Sequence, residues 1–261
     1  YAVFPQSVAP FNNIECRKAV IYAADHVSLQ TARGGPVAGG DIGTNMLPPS
    51  IAGGEGQKYD PYQIAGANKN GNDDLAKKAL KACGQPNGFK TTIAVRNNKS
   101  QEVATATSLQ AALKKVGIQA DIYQYDSSQS SGIIGSPSNV AKKKLGIIIM
   151  GWGPDFPTVQ GYGIPLWSSN YILQSGNNNY ALIKDKTIDG LFDQYNAELD
   201  ESAKTKIATE INHKVSEGAY YLPFTFERLL NWRSSRIANV YTTNAYSGYY
   251  DFVNIGLKST K

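Results

Sequence analysis

Histidine and cysteine are scarce in this chain, two of each among 261 residues. Metal centres draw heavily on those two side chains. His26 and His213 fall on separate predicted helices, far apart in the chain and with no cysteine at ligand spacing. Each reads as a surface or satisfied histidine, and no metal is expected. Other signatures of chemistry are also missing. No Gly-x-Ser-x-Gly elbow exposes a nucleophile. The clusters GGPVAGGDIG and AGGEGQ lack the Lys-Ser/Thr of a P-loop, and no G-x-G-x-x-G opens a helix after a strand. The pairs Asp73-Asp74 and Asp200-Glu201 stand at helix starts, where carboxylates cap and complement the dipole. These absences argue against an enzyme and against a bound cofactor.

Long apolar runs are absent too. The best, Ile147 to Met150, is strand-sized, far short of the roughly 20 residues a membrane-spanning helix needs. The net charge is +5 and the pI about 9.0, but the basic residues are dispersed. Lys77-Lys78 and Lys142-Lys143-Lys144 flank apolar segments as solvated ends, so no nucleic-acid partner is expected. The opening YAVFPQSVAPFNN has no initiator Met, basic region or cleavage site, and its strand-like start suggests a piece of something longer.

Cys16 and Cys83 are too far apart for a CxxC redox or zinc motif; they pair with each other or both stay free as small core residues. Both lie on predicted helices. A disulfide is the expectation for a protein working outside the cytoplasm, and sixteen tyrosines suit a secreted binder of polar ligands.

What is present is an α/β alternation. Asn12 or Asn13 can cap a first helix with the stripe Cys16, Val20, Ala23, Ala24 and Val27. The stretch ARGGPVAGGDIGTNMLPPSIAGGEGQ is too rich in Gly and Pro for an element, and a loop that long is usually functional. The helix NDDLAKKALKAC follows, stopped by Gly84 and Pro86. KTTIAVRN reads as a strand with Thr91, Ile93 and Val95 inward, and SQEVATATSLQAALKKVG as a helix on Val103, Ala106, Leu109, Leu113 and Val116. IQADIYQYD and LGIIIMGW are further strands, which implies a parallel pair with a crossover helix. Two amphipathic helices come next, on Ile188, Leu191, Phe192, Tyr195 and Leu199, then on Ala203, Ile207, Ile211 and Val215. AYYLPFTFERLLNWRSS reads as strands interrupted by a proline, and the tail is aromatic and turn-rich.

The strand LGIIIM runs straight into Gly151-Trp152-Gly153-Pro154-Asp155. Ligands of parallel α/β sheets sit beyond the carboxyl ends of strands, where this loop lies. Trp152 offers a flat apolar wall, Gly151 and Gly153 admit a close ligand, and Pro154 and Pro157 stiffen the loop. A carboxylate there invites a cation. The plainer alternative is that Asp155 caps the next helix and Trp152 is core.

Four ordered segments resemble the family 5 bacterial extracellular solute-binding proteins. APFNNIECRKAVIYAADHVSL follows the pattern PF.d..vR.Al..aiDr..i through Pro10, Phe11, Arg17, Ala19, Ala24 and Asp25. MLPPS sits where that family has a proline stretch. YDPYQIAGANKNGNDDLAKKALKACGQPNGF is similar to yDp.kAk.LL.eaGy.dGf with an insertion, and GWGPDFPT to gW.aDypdP. The resemblance implies one lobe of a two-lobed, type II periplasmic-binding-protein-like fold: α/β, a mixed and mostly parallel sheet with flanking helices. Residues 1–246 would form the second, carboxyl-terminal lobe and 247–261 a tail returning to a first lobe. The implied function is capture of an extracellular short peptide by the binding component of an ABC importer, which hands it to a membrane permease.

Carried over by residue, Asp155 would pair with the ligand's α-amino group, Trp152 would line a side-chain pocket and Gly153 would offer backbone groups. Tyr246, in NAYSGYYD, would touch the ligand, with Tyr249 as substitute. Arg17 and Asp25 read as structural. No residue matches a partner for the ligand's carboxylate. Oligosaccharide or other small-solute binding stays open, as Trp152, Trp167 and the tyrosines could stack on sugars; an enzyme or sensory module using the same cleft is the more distant alternative. A monomer is expected, secreted to the outer face of the cell membrane or the periplasm and lipid-anchored through an upstream segment.

Overall fold

The computed structural model describes residues 1–243 and 248–258. A five-stranded sheet holds the centre, in the order β4-β3-β5-β1-β6. Its strands are β1 (Ala2–Val3), β3 (Lys90–Arg96), β4 (Gln119–Tyr125), β5 (Ile147–Ile149) and β6 (Tyr221–Leu222). The pair β2 (Asp41–Ile42) and β7 (Thr225–Phe226) stands apart, as does β8 (Ile237–Ala238) with β9 (Gly256–Leu257). β3 pairs in parallel with both β4 and β5, while β1 runs antiparallel to β5 and β6. The sheet is therefore mixed and mostly parallel, as expected from the strand–helix–strand order.

Period-two alternation divides the apolar residues between two cores. Ala2, Ile93, Val95, Ile147 and Ile149 face one; Val3, Ala94 and Ile148 face the other. The first core is closed by α1 (Ile14–Ala23), α2 (His26–Ala32), α4 (Asp73–Ala82) and α5 (Ser100–Lys115). The second is closed by α8 (Val159–Trp167), α9 (Lys186–Ala197) and α10 (Glu201–Glu217). Coverage on both faces explains why β3 and β5 read as nearly continuous apolar runs. Short α3 (Gly35–Ala38), α6 (Ser130–Ile133) and α7 (Pro137–Lys142) fill the connections. α5 stops where Gly117 takes φ +86°, a left-handed conformation that suits glycine.

Three sequence expectations need correction. The first helix is two helices: α1 ends at Ala23, and Asp25 caps α2 by accepting from Ser28 N at 2.9 Å. That cap outcompetes continuation of the stripe, and leaves Val27 partly exposed. Leu199 lies beyond the end of α9 and is exposed, because Glu198 already departs from helical geometry. The Gly/Pro stretch contains α3 and β2, invisible locally because β2 pairs with β7, far along the chain. Asn13, by contrast, caps α1 as expected, and Arg17 donates to Phe11 O and Gly218 O at 2.6 and 2.9 Å.

The Cys16 and Cys83 sulfurs are bonded, joining α1 to the cap just past the end of α4. The last buried side chain is Phe224; no described residue beyond it is buried.

Candidate ligand pocket

A cavity of about 680 Å³ opens beyond the carboxyl end of β5. One wall is the loop Gly151–Pro157, another the stretch Asn45–Ser50, and the third runs from Pro223 to Arg228. Such a volume suits a small organic solute.

The first wall is the loop singled out in the sequence. Trp152 is half in the wall and half in the core: it packs against the second apolar cluster while lining the cavity, and its indole N–H has no hydrogen-bond partner among the described residues. A Cβ on Gly151 or Gly153 would meet nothing within 4 Å, and neither has positive φ. Glycine there is not demanded by the backbone; it leaves the cavity side open. The alternative that Asp155 caps α8 does not hold, since Thr158 is the cap, accepting from Gly161 N at 3.1 Å. Asp155 uses its backbone N–H on Gly161 O at 3.4 Å. Its carboxylate is exposed at the cavity and makes no hydrogen bond or ion pair among the described residues. Tyr162 closes the floor, and burial pushes its phenol pKa up, so it stays neutral.

The second wall is stiffened by a buried polar network. Asn45 Nδ2 donates to Gly56 O at 2.7 Å and Tyr59 O at 2.9 Å. Asn212 of α10 donates to Asn45 Oδ1 and accepts from Leu47 N. The third wall is set by the β2–β7 pair. Gly40 sits at its edge with φ +73°, and the Phe226 carbonyl occupies the space a Cβ would need.

Five charged side chains line the cavity: Arg33, Asp41, Asp155, Glu227 and Arg228. Arg33 pairs with Glu227, with Nε 2.6 Å from Oε1, and Arg228 lies 3.3 Å from Asp41. Sequence reasoning found Asp155, Trp152 and Gly153, and the structure brings these three together. Tyr246 lies outside the described residues. Its proposed substitute Tyr249 is exposed, next to Gly248 on the cavity rim. Arg33, Asp41, Asn45, Glu227 and Arg228 were missed. The long Gly/Pro stretch and the charges in TFERLL were the signals available for them.

Comparison with known proteins gives this geometry a context. Residues 1–174 match the model of the bacterial extracellular solute-binding proteins, family 5 (middle part). The glutathione-binding protein GsiB of Shigella flexneri serotype 5b is 25% identical over 230 residues, 87% of this chain and 42% of that protein. A solved structure of clavulanic acid biosynthesis oligopeptide binding protein 2 superposes with a TM-score of 0.90 at 31% identity, over 99% of this chain and 46% of that one. The dipeptide binding protein of Pseudoalteromonas sp. SM9913, solved with Met-Leu, shares the fold with a TM-score of 0.73 at 21% identity, over 99% and 48%. The chain thus spans a little under half the length of these relatives.

Proposed function

The chain belongs to the bacterial extracellular solute-binding proteins of family 5, and from that premise we propose that it is the carboxyl-terminal lobe of a peptide-binding component of an ABC importer. The observation that carries this reading is the Asp155 carboxylate, without a partner among the described residues, beside Trp152 on the wall of the cavity. A carboxylate in a partly dry cleft gains about 1.5–3 kcal/mol from a charge-assisted hydrogen bond to an ammonium. The α-amino group of a short peptide supplies one. Trp152 and the half-exposed Phe156 then offer apolar area to the first side chains, and Gly153 leaves room for the extended backbone.

A first lobe would complete the cleft, and hinge closure would bury the peptide before delivery to a membrane permease. The tail from about residue 247 would return to that lobe; among the described residues the last side chain buried in the two cores is Phe224. The protein acts outside the cell as a monomer, held at the membrane through a lipid anchor upstream. It performs no chemistry on its ligand. Names of relatives support a peptide-like solute: one binds glutathione, another is an oligopeptide binding protein.

A second reading, oligosaccharide binding, draws on Trp152, whose indole N–H lacks a partner among the described residues and could donate to a hydroxyl. Calorimetry of the full-length protein with trialanine and with maltotriose separates the two. Heat from the peptide alone supports the peptide reading; heat from the sugar alone replaces it.

A further inference from the structure

The parallel part of the sheet sorts charge by direction. Three helices lead into its strands: α4 into β3, α5 into β4 and α7 into β5. Each carries lysine in its last turn, Lys81 on α4, Lys114 and Lys115 on α5, and Lys142 on α7. Lys90 is the first residue of β3, and Lys144 lies just before β5. Parallel strands start at one edge, with Lys90 opposite Gln119, so the helix ends that feed them gather there too. Lysines dispersed along the sequence thereby share one end of the molecule, the end opposite the cavity. Two more join them. Gln6, just past the end of the oppositely directed β1, donates to Ala181 O at 3.2 Å and brings Lys184 and Lys186 to the same edge.

All these lysines are exposed, and none is ion-paired among the described residues. Carboxylates at this end are mostly engaged. Glu15 pairs with Lys18 at 2.8 Å, and Asp185 caps α9 by accepting from Thr187 N at 2.8 Å. Asp121 of β4 is exposed, without a partner among the described residues. At their other ends, towards the cavity, the same helices carry acid: Asp73 and Asp74 on α4, and Glu102 on α5. The net charge of +5 is therefore unevenly spread. Helix dipoles favour lysine in a last turn, which accounts for part of the pattern. They do not account for Lys90 and Lys144, which belong to strand starts. They disfavour Lys186, the first residue of α9.

We propose that this lysine-rich end is a docking surface for the anionic lipid headgroups of a membrane. Unpaired ammonium groups on flexible stems suit many headgroup phosphates at once better than one fitted ligand. The attraction acts within about a Debye length of the surface, roughly 10 Å, so only this end needs to approach the lipid. Docked in this way, the protein turns its cavity end away from the membrane, where solute can enter. The proposal goes beyond the binding reading and depends neither on the cavity nor on the identity of the solute.

The test is co-sedimentation of the full-length protein with vesicles of phosphatidylcholine alone and of a three-to-one mixture with phosphatidylglycerol. A lipid anchor adds equally to both, so the readout is the ratio of the two partition coefficients. The wild type should favour the anionic vesicles at least about tenfold at low salt, and molar salt should abolish the preference. The triple variant Lys81→Gln, Lys114→Gln, Lys142→Gln takes one lysine from each helix end and should cut the ratio at least about fivefold. The exposed Lys69, Lys99 and Lys206 lie towards the other end. Replacing those three with glutamine removes the same charge and should leave the ratio within about twofold. Equal partition of the wild type, a preference that survives molar salt, or an equal drop in both triple variants overturns the proposal. A lower melting temperature of the first variant with an unchanged ratio also overturns it, and assigns these lysines to the helix dipoles alone.

Discussion

Asn212 and Asn45 face each other 3.1 Å apart in the protein interior, one on α10 and the other on the wall of the cavity. Asn212 also accepts the Leu47 N–H at 3.0 Å, so one amide fixes two points of the stretch Asn45–Ser50. Replacing it with alanine strands a buried N–H and a buried amide oxygen at once. Asn212→Ala should lower stability by about 2 kcal/mol or more in urea denaturation. It should also weaken solute binding, because the wall loses its anchor to α10. Unchanged affinity in a folded variant would mean the wall is held by other contacts.

His26, the first residue of α2, is buried with Nε2 3.4 Å from Ile21 O and Nδ1 unpartnered among the described residues. Burial lowers its pKa from 6.5 to about 4. The folded protein therefore keeps His26 neutral over a range where the unfolded chain takes up a proton. Unfolding binds protons between those values, so stability is full above pH 6.5 and is lost as pH falls towards 4. The loss from this group is about 3 kcal/mol over that window. Denaturation midpoints at stepped pH should show the slope, and His26→Leu should flatten it. An equally steep profile in that variant would assign the acid sensitivity to carboxylates instead.

The bond between Cys16 and Cys83 closes a loop of sequence separation 67. Such cross-links typically add about 2–4 kcal/mol, mostly by restricting the unfolded chain. Neither cysteine lines the cavity. The Cys16→Ala, Cys83→Ala double variant should melt on the order of 10 °C lower yet keep its solute affinity at low temperature. A melting temperature insensitive to reductant would show that the bond contributes nothing to stability.

Much of this architecture was legible in the sequence for a definite reason. Ile93, Val95, Ile147 and Ile149 alternate with Ala94 and Ile148, so the long strands and their parallel pairing around a crossover helix follow from local pattern, whereas the order of all five strands does not. Caps at Asn13 and Asp200 are likewise local, although Thr158 takes the place of Asp155 as the cap of α8, and the broken helix at Asp25 shows that a single capping carboxylate can override a good stripe. The cavity was half legible. Asp155 and Trp152 stand in one turn at a strand end and announce themselves. Arg33 and Glu227 do not, because their pairing spans a separation of 194 and rests on β2 meeting β7. A two-residue strand carries no periodicity, so no local signal could place that wall.

The account turns on Asp155 as the partner of a ligand ammonium. The most direct measurement is calorimetry of the full-length protein, wild type and Asp155→Ala, with trialanine and with N-acetyl-trialanine. The account predicts that the wild type binds the free amine and not the acetylated form. It also predicts that Asp155→Ala weakens the free amine by about 2 kcal/mol or more, because the buried ammonium loses its partner. Equal binding of the two peptides, or an alanine variant with wild-type affinity, would contradict it and remove Asp155 from the site.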